Sequence, residues 1–112
     1  MPEKRNITRH RKRLQLRYGT ESESPVTMAF TEDISEDGLF IRTTRIYPLN
    51  TNLNIELFTK DGNGVVNIQG VVRWVKAVPS TLIHGAKKGG MGVKIISITA
   101  GEGIYKKLLQ SN

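Results

Sequence analysis

Apolar and polar residues alternate with a period of two along most of this chain, the spacing of half-buried β-strands. Leu14, Leu16 and Tyr18 interleave with Arg13, Gln15 and Arg17 and predict a first strand over 13–18. A polar stretch over 19–25 breaks the pattern, which resumes at Val26 and runs to Thr31. Asp33-Ile34-Ser35-Glu36-Asp37-Gly38 interrupts it again, and its Asp-Gly pair marks a tight turn ahead of a return strand over 39–43. In that turn Asp33 and Ser35 can bond nearby backbone, and Gly38 can adopt a positive φ after Asp37. Beyond a turn at 48–52, Leu53, Ile55 and Leu57 point one way and Asn54 and Glu56 the other. Asp61-Gly62-Asn63-Gly64 is a hairpin signal that leads into a long β-branched strand over 65–75. A loop over 77–90 precedes the last strand, 91–98.

The period then changes. Thr99 is placed to cap a short helix in which Ile104, Tyr105, Leu108 and Leu109 form one apolar stripe. Gly101 and Gly103 weaken its first turn. The expected fold is all-β: a six-stranded antiparallel barrel, with the short C-terminal helix burying its stripe against one end or side. No βαβ pattern is present, which argues against Rossmann and P-loop architectures. Tyr18, Phe30, Phe40, Tyr47, Phe58, Trp74 and Tyr105 mostly fall within apolar strand patterns and are expected in the core.

Charge changes this picture at one end. The chain has 112 residues and a formal net charge of +7. Lys4, Arg5, Arg9, Arg11, Lys12, Arg13 and Arg17 face only Glu3 within the first 20 positions, and the rest of the chain is close to neutral. The organisation expected is therefore a flexible basic arm over 1–12 and a single barrel domain over 13–112. Such an arm seeks anions. Nucleic acid, an acidic membrane surface and a phosphorylated small molecule would all be drawn to it. The segment after Met1 turns charged at once, with no signal-peptide core, and no apolar run is long enough to span a bilayer. A cytoplasmic location without membrane insertion is the expectation.

Catalytic chemistry finds little support. There is no cysteine, His10 and His84 have no metal-ligand partner at useful spacing, and the glycine-rich stretches fit no phosphate-loop pattern. No catalytic residue, metal or cofactor is expected. Recognition chemistry finds more. The guanidinium of arginine can bind phosphate oxygens or the O6 and N7 edge of guanine with paired hydrogen bonds, and can stack on a purine. Asp33 can accept from the guanine N1–H and N2–H₂ edge, Ser35 can donate to a phosphate, and Gly38 lets a purine come close to the backbone. An arginine arm and an acidic turn thus make a coherent pair for a guanine-phosphate ligand.

Arg5-Asn6-Ile7-Thr8-Arg9 reads as Arg-x-x-x-Arg, and Asp33 to Gly38 reads as Asp-x-Ser-x-x-Gly. In this order, ahead of and within a β-rich domain, they resemble the PilZ family signature. Gly38-Leu39-Phe40-Ile41, Gly70-Val71-Val72-Arg73-Trp74-Val75 and Gly90-Met91-Gly92-Val93-Lys94-Ile95 resemble later strands of that family. The resemblance spans essentially the whole chain. It implies a six-stranded barrel that binds cyclic di-GMP, often as an intercalated dimer of the nucleotide, and signals to a downstream protein partner. It implies that Arg5 and Arg9 bind phosphate and guanine, Asp33 a guanine edge, and that Ser35 and Gly38 complete the turn contact. A second Arg-x-x-x-Arg, Arg9 to Arg13, overlaps the first. Arg5/Arg9 is preferred because Arg13 falls in phase with the first strand and so cannot wrap a ligand. Two other readings are a PilZ-like adaptor working through protein contacts alone and a barrel that binds nucleic acid, though no specific nucleic-acid partner is expected.

Overall fold

The computed structural model describes residues 8–20, 22–76 and 89–110. In chain order the elements are β1 (His10–Arg11), β2 (Gln15–Thr20), β3 (Thr27–Ile34), β4 (Gly38–Arg42), β5 (Asn52–Phe58), β6 (Val65–Lys76), β7 (Gly90–Ala100) and α1 (Glu102–Gln110). All pairings are antiparallel. The sheet runs in the order β1-β3-β2-β5-β6-β7-β4, and β4 returns to pair with β3, so β2 to β7 close as a six-stranded barrel with the short β1 added beside β3. The expected architecture is the one found.

The alternation seen in the sequence sorts inside from outside. Leu14, Leu16 and Tyr18 enter the barrel from the first strand, Leu53, Ile55 and Leu57 from β5, and Val66, Ile68 and Val72 from β6. Burying each of these side chains contributes roughly 1.5–3 kcal/mol. The buried hydroxyls are satisfied. The Tyr18 hydroxyl donates to the Arg45 carbonyl at 2.7 Å and shares a hydrogen bond with Thr43 Oγ1 at 2.8 Å. Thr31 fills the gap between β1 and β2: its hydroxyl donates to the Lys12 carbonyl at 2.6 Å and accepts from Leu14 N–H at 2.9 Å. The chain leading into the barrel is thereby tied to β3.

Helix α1 carries the predicted stripe, with Tyr105 buried and Ile104, Leu108 and Leu109 packed on the core. Its entry differs from expectation. Thr99 still belongs to β7, where its hydroxyl reaches the Asn67 carbonyl at 3.4 Å. The chain instead turns at Gly101, φ +85°, whose carbonyl accepts the first helical bond from Tyr105 N–H at 3.0 Å. A strand running into a helix needs this left-handed corner, which glycine adopts without strain. Glu102 in the first turn and Lys107 in the last favour the helix dipole.

Candidate functional site

The turn between β3 and β4 is built from beneath. Ser35 N–H donates to the Gly38 carbonyl at 2.8 Å, closing the turn. The Ser35 hydroxyl is buried and lies 3.1 Å from Asp37 Oδ1 and 3.2 Å from the Gly38 carbonyl. The Ser35 carbonyl points inward, where it accepts a 2.6 Å hydrogen bond from the Tyr105 hydroxyl of α1. Burial pushes the Tyr105 phenol well above its ordinary pKa, so it remains a donor. Behind the turn, Ile95 N–H donates to the Asp37 carbonyl at 2.8 Å.

Gly38 does not use the positive φ open to it; among described glycines only Gly62 and Gly101 do. Its requirement is space. A Cβ on Gly38 would sit 2.6 Å from the Val93 carbonyl oxygen, so only glycine lets β4 lie this close to β7.

The arm reaches the turn from the other side. Arg9 Nη1 donates to Asp33 Oδ1 at 2.6 Å, in an ion pair whose arginine side chain is 53% exposed. One step along, β1 pairs His10 with Ile34 and Arg11 with Asp33, anchoring residues 10–11 to the last residues of β3. The structure therefore brings Arg9, Asp33, Ser35 and Gly38 to one place. Arg5 lies outside the described residues. Arg13 is directed elsewhere: its guanidinium stacks 4.2 Å from the Phe30 ring centroid on the outer face of β3.

Sequence reasoning missed three neighbours of this site. A groove of about 220 Å³ is lined by Arg9, Gly38, Arg73, Trp74 and Lys94, among others. Trp74, expected in the core, is 46% exposed. Along β6 the inward positions are Val66, Ile68, Gly70 and Val72, and strict alternation would send Trp74 inward too. The register shifts between Val72 and Trp74, where an extra residue opposes Val93 and Gly92 of β7 and flips the phase. The indole then lies over Phe40, ring centroids 4.9 Å apart and 25° from parallel. It also covers Gly92, where any Cβ would collide with it. Phe30 is exposed as well, and Tyr47 and Phe58 are half-buried; only Tyr18, Phe40 and Tyr105 among the aromatics are buried. The glycine opposite the tryptophan was the one signal available in advance.

The groove offers an aromatic face, cations from β6, β7 and the residue before β1, and the Asp37 carboxylate, with Asp33 beside it on β3. Among the described residues no cluster of His, Asp and Glu could hold a metal, and no helix is long and apolar enough to cross a membrane.

The PilZ domain family profile matches residues 3–111. This chain belongs to the PilZ domain family. Its fold is similar to that of the Bacillus subtilis inhibitor of motility (MotI/DgrA), with a TM-score of 0.70 and 18% sequence identity over 97% of this chain. The chain covers 49% of that protein, so the likeness concerns one PilZ-fold part of a longer molecule. At this identity it speaks to the fold. Among curated proteins no relative matches the chain.

Proposed function

We propose that this PilZ domain is a receptor for cyclic di-GMP, not an enzyme, acting in the cytoplasm on a downstream protein partner. The observation that carries the reading is the Arg9–Asp33 ion pair, which sets the basic arm against the Asp-x-Ser-x-x-Gly turn beside the groove. In this reading the pair is exchanged on binding. A guanine edge takes the Asp33 carboxylate, and Arg9 turns with Arg5 to phosphate or to a guanine O6 and N7 edge. Ser35 and Gly38 complete the turn contact, with Trp74 offering a face for purine stacking and Arg73 and Lys94 adding positive charge.

The dimensions explain why the arm is needed. A groove of about 220 Å³ is smaller than the roughly 300–1,000 Å³ of sites that enclose drug-sized ligands. The barrel alone supplies one wall, and the arm over 1–12 supplies the other. Ligand binding would then order the arm across the barrel, changing surface charge and shape where a partner can read them. The structural likeness to a motility inhibitor supports a signalling role, without naming the pathway.

Isothermal titration of the chain with cyclic di-GMP tests the proposal. Saturable heat at micromolar ligand, weakened by raising salt, is expected; no heat at tens of micromolar would sink the receptor reading. Arg5→Ala and Arg13→Ala, titrated side by side, test the arginine pair. Loss of affinity in Arg13→Ala with none in Arg5→Ala would move the motif to Arg9/Arg13. A parallel titration with cyclic GMP-AMP measures discrimination.

A further inference from the structure

The outer face of β3 breaks the rule that water-facing positions of a sheet are polar. Val26, Met28 and Phe30 succeed one another on it, 65%, 52% and 37% exposed. Around this stripe stand arginines. Arg17 pairs with Met28 across β2 and β3, Arg42 with Phe30 across β4 and β3, and Arg13 stacks on Phe30. Below Phe30 a groove of about 470 Å³ is lined by Arg11, Lys12, Arg13, Phe30, Glu32 and Arg42, among others. The face carries few carboxylates. Glu56 is taken by Arg17 at 2.8 Å, and Glu32 approaches Arg11 only at 4.0 Å. Arg42 has no acidic partner among the described residues.

We infer that this face is a docking surface for a partner-protein segment in which acidic side chains are interspersed with large apolar ones. Its stripe has residue types enriched in interface cores, methionine, phenylalanine and arginine. The unpaired cations define the complementary charge, and the stripe between them requires apolar insertion, which a purely acidic polymer does not provide. From Phe30 onward strand addition is closed to the partner, because β3 is paired there with β4 as well as with β2 or β1, whereas Thr27, Met28 and Ala29 pair with β2 alone. Docking around Phe30 and Arg42 therefore proceeds through side chains laid across the strands. Arg13 is already stacked and Met28 is unbranched and adaptable, so the surface can receive related segments at little ordering cost. The inference is independent of the nucleotide reading, since none of Met28, Phe30 and Arg42 lines the groove beside Gly38.

The full chain, immobilised, is panned against a random dodecapeptide phage library at 150 mM salt. The enriched peptides are then titrated by NMR into the parent, Met28→Ser/Phe30→Ser and Arg42→Glu. Expected are sequences combining Asp or Glu with Leu, Phe or Trp, shifts centred on Arg13, Met28, Phe30 and Arg42, and at least tenfold weaker binding in either variant. Thermal melts confirm that these exposed substitutions leave the fold intact. No enrichment, enrichment of peptides lacking either acidic or apolar residues, or shifts mapping elsewhere would overturn the inference. So would single-stranded RNA or DNA binding at 150 mM salt that both variants abolish, which would reassign the face to nucleic acid. Concentration-dependent dimerisation lost in Met28→Ser/Phe30→Ser would instead assign it to a second copy of the chain.

Discussion

The turn over 35–37 and the arm over 8–12 meet at the same groove, yet they are held by different kinds of contact. The turn is fixed by buried hydrogen bonds, from the Tyr105 hydroxyl below and Ile95 N–H behind. The base of the arm is tied to β3 by the β1 pairing and by Thr31, but the Arg9 side chain meets the turn through an ion pair with Asp33 in which both partners are partly exposed. Buried hydrogen bonds are expensive to break because they leave unsatisfied groups behind. Solvent-exposed ion pairs contribute at most about 1 kcal/mol and exchange readily. One wall of the proposed site is thus preorganised and the other is replaceable, which is the division of labour a ligand-exchanged contact requires.

The largest expected effect breaks the rigid side. Gly38→Ala places a methyl group against the Val93 backbone carbonyl, which cannot swing aside. Urea denaturation should show a loss of about 2–3 kcal/mol. A variant as stable as the parent would mean that the β4–β7 seam yields and the turn is not the rigid wall. Next is the exchangeable side. Arg9→Ala should weaken cyclic di-GMP by about 2 kcal/mol in titration calorimetry while leaving the denaturation curve nearly unchanged. Equal losses in both measurements would show the arm to be a structural strut.

Tyr105→Phe comes third, with about 1–2 kcal/mol of stability lost as the Ser35 carbonyl goes unpaired. Nucleotide affinity should fall too, although residue 105 is not among those lining the groove. This pair also has a pH signature. Burial raises the Tyr105 pKa above its ordinary 10.0, so its neutral, donating form is favoured by folding. That contribution is present in full below pH 10 and is lost as pH rises beyond it. The gap in urea midpoint between parent and variant should therefore narrow from pH 8 to pH 11; a constant gap would remove the phenol from the account. The smallest effect is expected from an Arg9/Asp33 double-mutant cycle without ligand, with a coupling below about 1 kcal/mol. A larger value would make the arm as fixed as the turn.

How much of this was legible depends on how local each signal is. Leu14, Leu16 and Tyr18, or Leu53, Ile55 and Leu57, announce their strands because sidedness in a strand follows directly from spacing. The hairpin at 61–64 is likewise local: Thr59 N–H bonds the Gly64 carbonyl at 3.0 Å across it. The turn at 33–38 was visible as a turn, but its glycine serves an approach by β7, distant in sequence, and not a backbone twist of its own. Trp74 was misplaced for a related reason: a bulge is a register event between two strands, and no alternation rule run along β6 alone can contain it. The pairing of Arg9 with Asp33 could be anticipated as chemistry, whereas its exposed geometry depends on β1 docking to β3. Phe30 read as core because hydrophobicity reports a preference for burial without naming what does the burying.

The hydrogen bond from Tyr105 to Ser35 also orders events in time. A chain emerging from its N-terminus completes the arm and the β3–β4 turn early. The turn's inward carbonyl has no partner until α1 is made, and β4 has only one neighbour until β7 follows. Such sequence-distant closure is slow to form. A nascent chain should therefore present the recognition residues well before it can hold them in working order, and competence should arrive with the last helix.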